Sequence, residues 1–86
     1  MTDPPRWTMS RLCAALDIRV LAELPPRGQS HAERILNCSE MLRGLDDKRE
    51  REGSESEYAA GLRAQNKREL ARYLGLIGVS DAGRAA

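Results

Sequence analysis

The sequence predicts an all-α fold: a short N-terminal helix followed by an antiparallel two-helix hairpin, completed by homodimerisation. Three observations carry this expectation. Apolar residues recur at three- and four-residue spacings through three separate stretches, which puts them on one helical face each time. The 86 residues include two Tyr, one Trp and no Phe, so the core is left to Leu, Ile, Val, Met and Ala, which suit helix-on-helix packing. A chain this short buries only about 60% of its unfolded surface, and a second copy is one way to complete a small core. The expected organisation is a single helical domain over 1–86, with a loose N-terminal arm at 1–8 and a frayed tail at 79–86.

The arm contains Pro4 and Pro5, and Trp7 can tack it down. The first helix is expected from about Met9 to Glu23. Met9, Leu12, Cys13, Leu16, Val20 and Leu24 form its stripe, with Ile18 and Leu21 off it. Thr8 or Ser10 can cap its start, and Pro25-Pro26 ends it, because a residue before proline is pushed out of helical geometry. Ser30-His31-Ala32-Glu33 has the form of a capping box, a hydroxyl with a carboxylate three residues on, so a second helix is expected there. It carries Ile35, Cys38, Leu42 and Leu45, widened by Leu36 and Met41.

Residues 46–57 hold no apolar side chain. The charged run can prolong the second helix as a solvated extension until Gly53 bends or breaks it. Ser54 and Glu57 repeat the capping-box spacing and mark a third helix reaching about Leu76. Tyr58, Leu62, Leu70, Tyr73, Leu74 and Ile77 line its apolar side, Gly61 and Gly75 weaken it, and Gly78 stops it. The seam of core or dimer contacts is therefore expected at Ile35, Cys38, Leu42, Leu45, Leu62, Asn66, Leu70, Tyr73 and Ile77. Asn66 on that stripe has two readings, a polar residue that fixes register or oligomer state, or one at the stripe's edge.

The chemistry expected of the side chains is sparse. Cys13 and Cys38 fall in apolar stripes and read as buried thiols; two Cys and one His without close spacing do not make a zinc site. His31 beside Ser30 and Glu33 resembles a hydrolase trio only superficially, since triads converge from separate elements. Asp46, Asp47, Glu50 and Glu52 read as a solvated charge run. No glycine-rich loop cradles a phosphate. The expectation is a protein that is not an enzyme and takes no cofactor or metal. No signal peptide or apolar span of membrane length is visible, and a cytoplasmic setting is expected.

A formal net charge of +1 excludes a global basic field for nucleic acid. Arg63 and Lys67 stand four apart on the third helix, as do Arg68 and Arg72, on opposite sides. Glu69 to Gly75 looks like the first half of a helix-turn-helix, but little chain follows for a recognition helix. A small nucleic-acid-binding regulator of phage or plasmid type is thus the alternative to a protein-binding one.

The order of features resembles the TraM-type quorum-sensing antiactivators of rhizobia and agrobacteria. The matching pieces are Leu24-Pro25-Pro26, the stretch from His31 to Leu45, and Ala64-Gln65 followed by Leu74-Gly75-Leu76-Ile77. The spacings between the prolines and the second helix, and between the two long helices, are shorter than in that family. The resemblance implies a homodimer that binds a LuxR-type transcription factor and keeps it from DNA. Arg63, Lys67 and Arg72 are the candidate partner contacts. The function expected is that of a non-enzymatic helical regulator that occludes a partner protein.

Overall fold

Three α-helices form: α1 over Met9–Leu16, α2 over Pro26–Glu52 and α3 over Glu57–Leu76, with a short 3-10 turn at Leu21–Glu23 between α1 and α2. The structure, a computed structural model, describes residues 6–79; most of the expected arm and tail, 1–5 and 80–86, lies outside the described residues. No strand forms among the described residues.

α1 is shorter than its apolar periodicity implies. Thr8 caps it by accepting the Arg11 N–H at 3.1 Å. It then stops at Leu16, because Asp17 turns left-handed with φ of 56°. Asp17 N–H reaches Ala14 O at 3.2 Å and Ile18 N–H reaches Cys13 O at 3.0 Å, the paired closure that satisfies the last free carbonyls of a helix. Asp tolerates this conformation better than most residues. The Glu23 carboxylate accepts the N–H groups of Arg19 and Val20, at 2.6 and 3.1 Å, and so stabilises a turn where a helix to Glu23 was expected.

α2 starts at Pro26, four residues before the expected Ser30. Pro25 is extended, and Pro26 occupies the first helical position, where its fixed φ fits and its missing N–H costs nothing. Gln29 folds back and donates from Nε2 to Leu24 O at 2.8 Å. A Cβ on Gly28 would lie 3.2 Å from the Leu24 Cβ, a tight contact that a larger residue could make only with a small shift of the turn. Ser30 is an exposed residue inside the helix. At the other end the charged run does continue α2, to Glu52. Gly53 breaks it, with φ of 73° and its N–H on Arg49 O at 2.8 Å. The 27 residues extend about 40 Å at ~1.5 Å each, which accounts for the 41 Å long dimension of the molecule.

Ser56, rather than Ser54, caps α3; its Oγ accepts the Ala59 N–H at 3.1 Å. α3 closes as expected at Gly78, whose φ is 80°. Val79 N–H bonds Leu74 O at 2.8 Å, and both side chains are buried, the apolar contact that accompanies this kind of helix stop. Val79 thus belongs to the core and not to a frayed tail.

α2 and α3 are antiparallel neighbours: His31 meets Tyr73, Cys38 meets Glu69, and Asp46 meets Arg63. The densest packing lies at the end where α1 joins them. Trp7, Leu12, Ala32, Ile35, Leu74 and Val79 form one buried cluster, flanked by Leu16, Leu24, Leu70, Tyr73 and Ile77. Trp7 is 5% exposed, and its backbone N–H donates to the buried Ser39 Oγ at 2.8 Å. The described part of the N-terminal arm is therefore fastened down.

Candidate functional site

At about 100° per residue along a helix, Ala32 and Ser39 fall on one flank of α2, while Arg34, Met41 and Lys48 fall on the opposite one. On α3, Leu70 and Leu74 share one flank; Tyr58, Arg72 and Leu76 share the other. Trp7 and α1 pack over the flanks that carry Ala32, Ser39 and Leu74. The reverse side of the hairpin has no third layer among the described residues.

That open face is partly apolar. Among the described residues the large exposed apolar side chains are Met9, Val20, Met41, Tyr58 and Leu76, and the last three of these lie on it, 47%, 78% and 55% exposed. Leu62 and Tyr73 edge it half-buried. Its charges are Arg34, Lys48, Glu52 and Arg72, all exposed, and the half-buried Glu69 at mid-length. The Arg72 guanidinium sits 5.9 Å from the centre of the Tyr73 ring, and Tyr73 makes a tilted contact with His31 at 5.4 Å.

The burial of the two long helices is unequal. α2 buries Ala32, Ile35, Cys38, Ser39, Leu42 and Leu45, whereas α3 fully buries Leu74 alone. Of the expected seam, Ile35, Cys38, Leu42 and Leu45 on α2 are buried within the single chain. On α3, Leu62, Asn66, Leu70, Tyr73 and Ile77 are half-buried. Asn66 donates from Nδ2 to Leu62 O of its own helix at 2.8 Å. That bond ties one of its amide N–H groups to α3 itself, and Asn66 lies half-buried on the same stripe as Leu62 and Leu70.

The three basic residues singled out on α3 are not brought together. Arg63 is withdrawn from solvent, its side chain 13% exposed. It donates from Nε and Nη2 to Glu55 at 3.0 and 2.7 Å, and from Nη1 to Asp46. Asp46 also takes Arg6, with Arg49 3.8 Å away. These five residues clasp the turn end of the hairpin to the N-terminal segment. Asp46, expected to be solvated, is 20% exposed at the centre of the clasp; Asp47, Glu50 and Glu52 are exposed as expected. Lys67 lies on the clasp side, where its charge acts on Glu55. Of the three, only Arg72 reaches the open face. The clasp escaped sequence reasoning because, apart from the i,i+3 pair of Asp46 and Arg49, no local spacing links its members 6, 46, 49, 55 and 63.

Hydrogen bonding from Arg63 holds the Glu55 carboxyl below its ordinary range, and Arg43 does the same to Glu40. Burial, reinforced by the Glu69 carboxylate, pushes the Cys38 thiol up. A protonated thiol is a poor nucleophile and a poor metal ligand. Both Cys13 and Cys38 are free thiols and buried, as expected. Among the described residues no group of three His, Cys, Asp or Glu side chains is placed to hold a metal ion. No helix among them is long and apolar enough to cross a membrane. The helix-turn-helix-like segment Glu69 to Gly75 is an uninterrupted part of α3.

No family model, curated protein or solved structure matches this chain.

Proposed function

We propose that this chain is a non-enzymatic regulator that binds and occludes a partner protein through the open face of its hairpin. The supporting observation is the placement of Met41, Tyr58 and Leu76 on the one side of the two-helix layer that α1 leaves uncovered. Met41, Tyr58 and Leu76 are spaced along this side with Arg34, Lys48, Glu52 and Arg72 among them, and non-obligate protein interfaces are likewise a mixture of apolar and charged side chains. A two-helix face can be covered by helices of a partner, or by the same face of a second copy in a four-helix arrangement. Homodimerisation is part of the proposal, because α3 buries only Leu74 fully within one chain.

The narrower reading, an antiactivator that holds a LuxR-type transcription factor off DNA, rests on the sequence resemblance. It assigns the partner contacts to the open face around Arg72, with Arg63 removed from the set because it is committed to Asp46 and Glu55.

The test is a pull-down from the native host with wild type and a Met41→Glu/Tyr58→Lys variant, run beside light scattering over a dilution series. Loss of captured protein in the variant, with its helicity intact, is the expected result. Identical captures by the two proteins would sink the assignment of the face. A protein that stays monomeric to high micromolar concentration removes the homodimer. Tight binding to random duplex DNA that falls steeply with salt would favour the nucleic-acid alternative, since that slope reports phosphate contacts.

A further inference from the structure

We propose that residues 6–24 form a strap that lifts from an α2–α3 hairpin that stays helical. This stands independently of what the open face binds. The strap comprises Arg6, Trp7, α1 and the 3-10 turn, and it covers the side of the hairpin opposite the open face.

The argument starts from what holds the strap. Its buried anchors are Trp7, Leu12 and Cys13, with Ala15, Leu16, Leu21 and Leu24 half-buried against the main cluster. Gln29 Nε2 holds Leu24 O at the hinge end of the strap; the polar links along its length are the Trp7 backbone N–H to Ser39 Oγ and the Arg6–Asp46 ion pair. Each of these has a replacement in the hairpin. A helical serine can turn its hydroxyl to the carbonyl four residues back, so Ser39 is not stranded. Asp46 keeps Arg63 and Arg49, and Glu55 keeps Arg63. With Arg6 present the clasp holds three cations against two carboxylates; without it the charges balance, two against two. Lifting the strap therefore leaves no buried charge without a partner.

Two further features favour opening. Arg11 lies over the Trp7 ring, 5.1 Å from its centre, and its Nε is buried without a hydrogen-bond partner; water supplies one when the strap lifts. The link to α2 has two ready pivots. One is Asp17 in its left-handed conformation, and the other is the Val20–Pro25 stretch, extended at Val20 and Leu24 on either side of the 3-10 turn. The lifted state uncovers Ala32, Ile35, Leu74 and Val79, an apolar groove in which the strap acts as intramolecular competitor to an incoming helix.

The single tryptophan of the chain is on the strap and reports its position. Far-UV ellipticity reports the hairpin, because α1 supplies 8 helical residues beside the 27 of α2 and 20 of α3. Both signals are followed in a urea titration of the full chain, with acrylamide quenching of Trp7 at each point. The strap predicts that Trp7 becomes quencher-accessible at lower urea than the loss of ellipticity. It also predicts that Arg6→Ala moves the Trp7 midpoint down and leaves the ellipticity midpoint in place. Hydrogen exchange should show peptides from 9–18 exchanging at least tenfold faster than those from 32–45. Coincident Trp7 and ellipticity transitions in the wild type overturn the proposal and make the strap part of one cooperative core.

Discussion

Replacing Ile35 by Ala should cost far more stability than replacing Leu45 by Ala, although the two residues occupy equivalent positions on the apolar stripe of α2. Ile35 is 0% exposed and sits in the cluster with Leu12, Ala32, Leu74 and Val79. The change removes three carbon groups, about 2.4 kcal/mol of transfer free energy at ~0.8 kcal/mol per buried methylene. Neighbours from three separate segments surround the site and collapse only in part, which adds a cavity term and brings the loss to about 3–4 kcal/mol. Leu45 is 9% exposed and lies near the turn, where the hairpin is two helices thick and can close over the gap; about 2 kcal/mol is expected there. At ~4–8 °C per kcal/mol for a domain of this size, the melting temperature should fall by roughly 12–30 °C for Ile35→Ala and roughly 8–16 °C for Leu45→Ala. Urea unfolding followed at 222 nm gives both free energies, and unchanged m-values would show that the comparison is like for like. A cost for Leu45→Ala equal to or above that for Ile35→Ala would refute a core concentrated at the α1 end.

Three further outcomes follow from the caps and the clasp. Arg63 holds the Glu55 carboxyl in its ionised form, so this contribution is fully present above the ordinary carboxylate pKa and is lost as pH falls through the lowered folded value. Thermal melts between pH 7 and pH 3 should show a drop that is shallower in Arg63→Gln, and parallel curves would remove the clasp's role. Gly53→Ala, at φ of 73°, should destabilise by about 1 kcal/mol, whereas Gly61→Ala, inside α3 with open space around it, should stabilise by about 0.5 kcal/mol; the two melting shifts should have opposite signs. Ser56→Ala should cost about 1 kcal/mol and Ser54→Ala close to none, because only the Ser56 hydroxyl takes the Ala59 N–H.

The helices themselves are legible in the sequence, because the three- and four-residue recurrence of Leu, Ile, Val and Met is a local property of the chain. Ile35, Cys38, Leu42 and Leu45 are buried where periodicity puts them, and Thr8 and Gly78 act as a cap and a stop as their types imply. Ends that depended on competition between nearby signals were not legible in this way. Ser30 and Ser54 have the form of N-caps, but Pro26 offered an earlier start, and Ser56 took the N–H that a cap must satisfy. Asp17 ended α1 although the apolar spacing ran on past it.

What only the tertiary structure decided is which side chains of similar chemistry do different work. Arg63 and Arg72 are both basic residues of α3. One is held by Asp46 and Glu55 inside the clasp, and the other stands over Tyr73 on the open face. The difference arises from partners 17 and eight residues away. It arises also from Arg6, which reaches the same carboxylate from the far side of the fold. Trp7 reads in sequence as a residue that can tack the arm down; what it tacks to is set only by the fold, where Ser39 and Ile35 come to meet it across some thirty residues of chain. Periodicity records the face a residue occupies on its own helix; which faces meet, and which stays uncovered, is settled only when the segments pack.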